Sequence, residues 1–225
     1  MFKDLYNAWK SQSLIEQAWE DCLEMLEIGH EMIQESINAL RTNEVAGVPE
    51  ELRAKDKIVN RFQKDVRRNV LTHLAGSGMN DLTTGLVLTS IVISLERIGD
   101  ITKNITELAT HYPKRLEAGI YEEQLKALEA QVIENLKLGV EAFKTQDTEL
   151  AKKLMTVLGT EVKELADPLA YGLVEGKVEG LTTSQAVTLA LYTRYLKRIN
   201  SHLRNIMSSI VNSFDRIGHK YKENK

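Results

Sequence analysis

The sequence predicts an all-α fold built as two tandem three-helix bundles, and three observations carry that prediction. The chain has three prolines and few aromatics, and it is rich in the helix formers Leu, Ala, Glu and Lys, with no turn-rich strand pattern in competition. Apolar residues recur at helical spacing through most of its length. Finally, the stretch Leu95-Glu96-Arg97-Ile98-Gly99-Asp100-Ile101-Thr102-Lys103-Asn104-Ile105 returns in weakened form as Leu196-Lys197-Arg198-Ile199-Asn200-Ser201-His202-Leu203-Arg204-Asn205-Ile206. The offset is close to half the chain, so two similar units are expected, 1–115 and 116–225.

In the first unit, Ser13 and Glu16 have the spacing of a capping box, and Leu14, Ala18, Cys22, Met25, Ile28, Met32, Ile33 and Ile37 follow at helical spacing. A helix from there to about Arg41 is predicted. Gly47-Val48-Pro49 breaks the chain, and Pro49, Glu50 and Glu51 suit the opening turn of a second helix, where the dipole favours acids. Its buried face is marked by Leu52, Ile58, Phe62, Val66, Val70 and Leu74, and it ends at Gly76-Ser77-Gly78. Asn80 or Asp81 caps a third helix from about Leu82 to the loop around His111-Tyr112-Pro113.

The second unit repeats the plan around a linker at Gly119. Helices are predicted from Glu122 to about Lys144, from Glu149 to about Val174, and from Thr182 to about Lys220, with a turn at Thr145-Gln146-Asp147. Asp167-Pro168 falls inside the middle helix, where the missing backbone donor predicts a kink or break. Gly172 to Gly180 reads as the longest flexible connection, and Lys220 to Lys225 as a frayed tail.

A formal net charge of -3 gives no global field for nucleic acid or anionic lipid. The single Cys22 sits in a helical pattern without a partner, which fits a buried, inert thiol in a reducing compartment. Residues Met1 to Lys10 lack the apolar core of a signal peptide, and no stretch reaches the roughly 18 apolar residues of a membrane span. The expectation is a soluble, cytoplasmic protein.

On a helix Glu96, Asp100 and Asn104 stack along one face, and Glu107 joins them within an arc of about 80 degrees, opposite Ile98, Ile101, Ile105 and Leu108. The plain reading is the wet side of an amphipathic helix, with Lys103 and Glu107 as an i to i+4 ion pair. Against it, Leu86, Thr89, Val92 and Ile93 continue the same stripe in largely apolar form, so the acids are expected to be partly buried. Two partly buried carboxylates repel, and a cation relieves that cost. Gly99 would let a backbone or ligand approach. Oxygen ligands without His or Cys suit a hard or borderline cation: Mg, Mn, Ca or iron. Asp56 with Asn60 on the second helix is the candidate source of further ligands, with Asp65 and Glu51 as rivals. In the second copy the acids are replaced by Lys197 and Ser201.

Leu95-Glu96-Arg97-Ile98-Gly99-Asp100 followed by Asn104-Ile105-Thr106-Glu107 resembles the signature of the PhoU family. The resemblance implies a two-fold repeat of three-helix bundles and a cytoplasmic regulator of phosphate uptake. It implies a metal ion, divalent or iron-type, held by acidic residues of the third helix, which here match Glu96 and Asp100. With the residue-based candidates the metal set is Glu96, Asp100, Asn104 and Asp56. The implied partners are a phosphate transporter on the cytoplasmic side of the membrane, a sensor kinase and a second copy of the chain. Leu196 to His202 is similar to the form in PhoU-like domains associated with sodium-phosphate symporters, which points to a transporter accessory role. A metal-free helical scaffold is the alternative.

Other candidates read as structural. Glu27-Ile28-Gly29-His30 has the E-x-x-H spacing of di-iron bundles, which need two such motifs, and only one exists. His73 lies near a helix end, and His202 lacks an acid partner at catalytic spacing. Arg61, Lys64, Arg67 and Arg68 fit a solvated face, and Trp9 and Trp19 fit packing anchors. No phosphate-binding loop, nucleophile elbow or dinucleotide fingerprint appears, so a metal-dependent enzyme has no visible base or nucleophile. The face of Lys197, Arg198 and Arg204 is expected to suit an acidic partner loop or bound phosphate.

Overall fold

A computed structural model describes residues 2–46, 48–77, 80–112 and 114–221, with side chains from Leu14 onward except that of Ser77. Seven α-helices follow in order: α1 (Phe2–Thr42), α2 (Val48–Ser77), α3 (Leu82–His111), α4 (Glu122–Thr145), α5 (Thr148–Gly159), α6 (Glu161–Val174) and α7 (Thr183–Val211). No strand occurs among the described residues.

α1, α2 and α3 pack on one another, and α4 to α7 do the same. α3 lies against α7 and α1 against α4, so the repeated third helices meet at the centre. The core follows the apolar periodicity: Ala18, Cys22, Met25, Met32 and Ile33 of α1 face Val59, Val66 and Val70 of α2 and Ile91, Ile98 and Ile105 of α3 as one buried cluster. Val59 is buried where Ile58 was expected, and Ile58 is only partly covered, a shift of one residue on the same face. Trp19 anchors α1 to α4 by stacking on Phe143, with ring centroids 5.6 Å apart. Trp9 lies outside the described side chains.

Several element ends depart from the sequence reading. α1 runs unbroken from Phe2, so Ser13 and Glu16 do not open it; Leu5, Ala8 and Lys10 carry the helix through. The middle helix of the second unit breaks at Thr160, whose φ of -122° and ψ of -64° leave the helical region, and Pro168 sits inside the continuing α6. Gly159 followed by a β-branched residue is the weaker point, because it lowers helix propensity twice in succession. α7 stops at Val211, because the Asn212 side chain donates to the carbonyls of Arg216 at 3.1 Å and His219 at 3.0 Å and folds the tail back. Lys222 to Lys225 lie outside the described residues, as do Gly47, Gly78 and Pro113 of the expected turns.

Other ends agree. Asp147 caps α5 by accepting from Glu149 and Leu150 backbone N–H, each at 3.0 Å. Thr182 and Gln185 form a capping box at α7. Asp81 precedes α3 without capping it, and its carboxylate instead meets His73 Nε2 at 2.8 Å.

The reading of the chain as free of span-length apolar segments needs correction: α3 is long and apolar enough to cross a membrane by length and composition. Its central place explains the composition, since it packs against α1, α2 and α7.

Candidate functional site

The acidic stripe of α3 emerges where α3 leaves the core beside α2. Ile98, Ile101 and Ile105 are buried, and Glu96, Asp100, Lys103 and Asn104 lie at intermediate exposure on the other side. The expected partial burial of the acids holds: the side chains of Glu96 and Asp100 keep 15% and 28% of their exposure. Glu107 is exposed, and Leu86 and Ile93 are more open than expected.

Asp56 of α2 does reach the patch, but a lysine mediates the meeting. Lys103 Nζ lies 2.8 Å from Asp56 Oδ1 and 2.9 Å from Asp100 Oδ1. Lys103 therefore pairs across the two helices rather than along α3 with Glu107. Arg97 adds contacts of 3.0 Å to Asp100 and 3.6 Å to Glu96, and Asn60 donates to Asp56 at 3.0 Å. Three carboxylates thus surround two fixed cations. Of the rivals, Asp65 pairs with Arg68, and Glu51 stays exposed in the first turn of α2.

The electrostatics divide the two motif acids. Burial first, then the charge of Asp100 and a hydrogen bond with it, push the Glu96 carboxyl above its usual range. Burial acts the same way on Asp100, but Lys103, the bond from Glu96 and Arg97 outweigh it and hold Asp100 below the usual range. Lys103 is held above the usual lysine range: burial opposes this, and Asp56 and Asp100 overcome it. The two carboxyls are hydrogen-bonded to each other and shift in opposite directions, so they titrate as a pair.

The residues offer oxygen donors suited to a hard cation, and the position between Asp56 and Asp100 is filled by an ammonium. Among the described residues no group of three or more His, Cys, Asp or Glu side chains is arranged to hold a metal ion. A cation coordinated by Asp56 and Asp100 together requires Lys103 to turn away. Asn104 shares with Arg97, Asp100, Glu107 and Arg198 a groove where α3 meets α7. Gly99 faces away from the patch toward Val59 and leaves no gap for a ligand.

The three basic residues of the second copy do not form one face. Lys197 pairs with Asp167 of α6, Arg198 lines the groove with α3, and Arg204 turns into a cleft beside α5. His202 lies near Arg198 and Arg97; burial first and those two charges next lower its pKa. The pKa of His30 is lowered chiefly by burial, and its Nε2 has no hydrogen-bond partner among the described residues. Cys22 is fully buried and its thiol is pushed up by burial, which keeps it inert. Arg61, Lys64, Arg67 and Arg68 are exposed, as a solvated face requires.

Sequence reasoning missed a buried polar network between α1 and the second bundle. Arg41 pairs with Glu122, bonds to the Leu116 carbonyl and lies 3.2 Å from Glu129. Tyr192 donates to Glu129 at 2.7 Å, and Asn135 donates to Asn200 at 2.9 Å. Glu129 falls on the apolar face of α4 between Leu125 and Val132, and an acid at a core position was the available signal.

Fold and site together define a two-bundle helical protein with a charged patch on the third helix. Residues 22–109, within the first bundle, match the family model of the PhoU domain. The chain is 22% identical over 181 residues, covering 80% of it and 74% of the relative, to the phosphate-specific transport system accessory protein PhoU homolog of Pseudomonas aeruginosa. Its fold is similar to a crystal structure of PhoU from Pseudomonas aeruginosa, with a TM-score of 0.79 at 22% identity, covering 88% of this chain and 96% of that one. The phosphate transport system regulatory protein PhoU from Streptococcus pneumoniae matches with a TM-score of 0.77 at 17% identity, covering 89% and 94%.

Proposed function

We propose that this chain is a non-catalytic regulator of phosphate uptake that acts in the cytoplasm by binding a phosphate transporter on its cytoplasmic side. The observation that supports this best is the match of residues 22–109 to the PhoU domain model, together with a fold similar to that of PhoU over 88% of the chain. In this reading 1–115 and 116–225 are two PhoU-like units, and a sensor kinase and a second copy of the chain are further partners. Recovery of a phosphate transporter from detergent-solubilised membranes on the immobilised protein tests the reading. A pull-down that retains no transporter at low salt, where surface attraction is strongest, counts against it.

The metal proposal belongs to the same patch. A divalent or iron-type ion held by Glu96, Asp100, Asn104 and Asp56 would supply a fixed positive charge in place of the Lys103 ammonium. Lys103 then sets the affinity by competing from within the chain. Elemental analysis of purified protein should show metal that is lost in Glu96→Ala with Asp100→Ala and gained in Lys103→Met. Equal metal content in all three proteins would remove the ion from the account. That outcome leaves a metal-free accessory protein of the kind associated with sodium-phosphate symporters, a reading favoured by Lys103 itself and by Lys197 and Ser201 in the second copy.

A further inference from the structure

The second bundle holds a cleft unrelated to the acidic patch. It has a volume of about 490 Å³ and opens between α5, the break at Gly159 and Thr160, α7 and the folded-back tail at Lys220 and Tyr221. That volume lies within the range of small-molecule sites, roughly 300 to 1,000 Å³.

Its walls carry an excess of positive charge. Lys152 is matched by Glu149 at 2.7 Å. Lys153, Arg204 and Lys220 have no carboxylate partner among the described residues. Arg204 is the least satisfied of them: its Nη2 donates to the Gly218 carbonyl at a long 3.4 Å, and its buried Nε has no hydrogen-bond partner. Arg204 lines the cleft, and its guanidinium is the donor group that an incoming oxyanion would meet there. The guanidinium lies against the helix break, where a Cβ added at Gly159 would sit 3.8 Å from Nη1, an ordinary contact. The Thr156 and Thr160 hydroxyls donate to helix carbonyls at 3.3 and 2.9 Å, which leaves the cations to face a ligand. Tyr221 closes one side, its ring centroid 5.2 Å from Lys152 Nζ.

We propose that this cleft binds a phosphorylated small molecule by its phosphate group, with Arg204 as the central donor and Lys153 and Lys220 flanking it. Guanidinium fits a tetrahedral oxyanion through paired N–H donors, and each charge-assisted bond is stronger than a neutral one. The volume exceeds what an orthophosphate ion fills, so a longer phosphate chain or an attached organic group is accommodated beside Met155 and Tyr221. The proposal does not depend on the transporter partnership or on metal at α3.

Isothermal titration of the full chain with sodium phosphate, pyrophosphate and ATP, at one ionic strength fixed with sodium chloride, tests it. Saturable one-to-one binding of at least one of the three is expected. Preference for the inorganic anions or for ATP tells which source of phosphate the site takes. Arg204→Gln and Lys153→Gln should each weaken that binding about tenfold, the loss of one charge-assisted hydrogen bond, with unchanged helical circular dichroism. Lys64→Gln on the exposed face of α2 should leave it unchanged. Lys153 is exposed, so its variant serves even where Arg204→Gln disturbs folding. Absence of saturable binding overturns the proposal, and so does binding that Lys64→Gln weakens as much as Lys153→Gln.

Discussion

At Gly99 an added Cβ would meet Val59 Cγ1 at 3.7 Å, an ordinary contact, whereas at Gly139 it would lie 2.7 Å from Leu203 Cδ1 in the core between α4 and α7. Both glycines are helical, so backbone entropy alone favours alanine at each by roughly 0.5–1 kcal/mol. Gly99→Ala should therefore raise the thermal midpoint. Gly139→Ala should lower it, because overpacking a filled core costs about 1–3 kcal/mol. Asp21 supplies a pH test at the same scale. Burial, then the charges of Asp65, Glu24 and Glu20, raise its carboxyl to about 6 from an ordinary 3.8. The folded state holds that proton more tightly than the unfolded one, so this contribution is present below about pH 3.8 and is lost as pH rises through about 6. Asp21→Asn lacks the penalty. Denaturant titrations should show the variant gaining on the parent from pH 4 to pH 8, and a constant difference across that range would contradict the assignment.

The helices were largely legible because apolar spacing reports a buried face directly, as Ala18, Cys22 and Met25 show in α1. Their ends were less so. Ser13 and Glu16 have the chemistry of a cap, yet a cap acts only where the chain upstream stops being helical. Pro168 removes one hydrogen bond and is carried within α6, while the break falls at the less conspicuous Gly159-Thr160. The acidic patch was legible along α3 and Asp56 was named on α2, but the lysine that sits between them was not foreseen. Spacing gave Glu96 and Asp100, but the partner of Lys103 depends on which turn of α2 faces it, and that is set by packing. The Arg41 network is likewise a property of two elements far apart in sequence. Arg41→Met removes the ion-pair partner of buried Glu129 and leaves Glu122 with only Lys126 at 4.0 Å, and removing one partner of a buried pair costs about 3–5 kcal/mol. Equilibrium unfolding should show a loss of that order. Tyr192→Phe should cost less, about 1–3 kcal/mol, since one bond to Glu129 goes while Arg41 stays.

For the whole molecule, the repeat seen in sequence brings the two motif copies together where α3 meets α7, with Arg97 and Arg198 on one groove. The copies differ in charge. The first keeps its acids around Lys103, and the second replaces them with Lys197, which Asp167 neutralises. Restoring the acids by Lys197→Glu with Ser201→Asp therefore places three carboxylates near one another with no lysine between them. That variant should take up added divalent metal in elemental analysis, and no uptake would show that the second bundle lacks supporting ligands.

The proposed control of phosphate uptake is measured most directly by the rate of labelled phosphate entry into cells lacking this chain, compared with cells in which it is restored. Removal should alter the uptake rate and its response to external phosphate, and the restored chain should return both. Identical uptake in the two strains, in phosphate-rich and phosphate-poor medium alike, would contradict it.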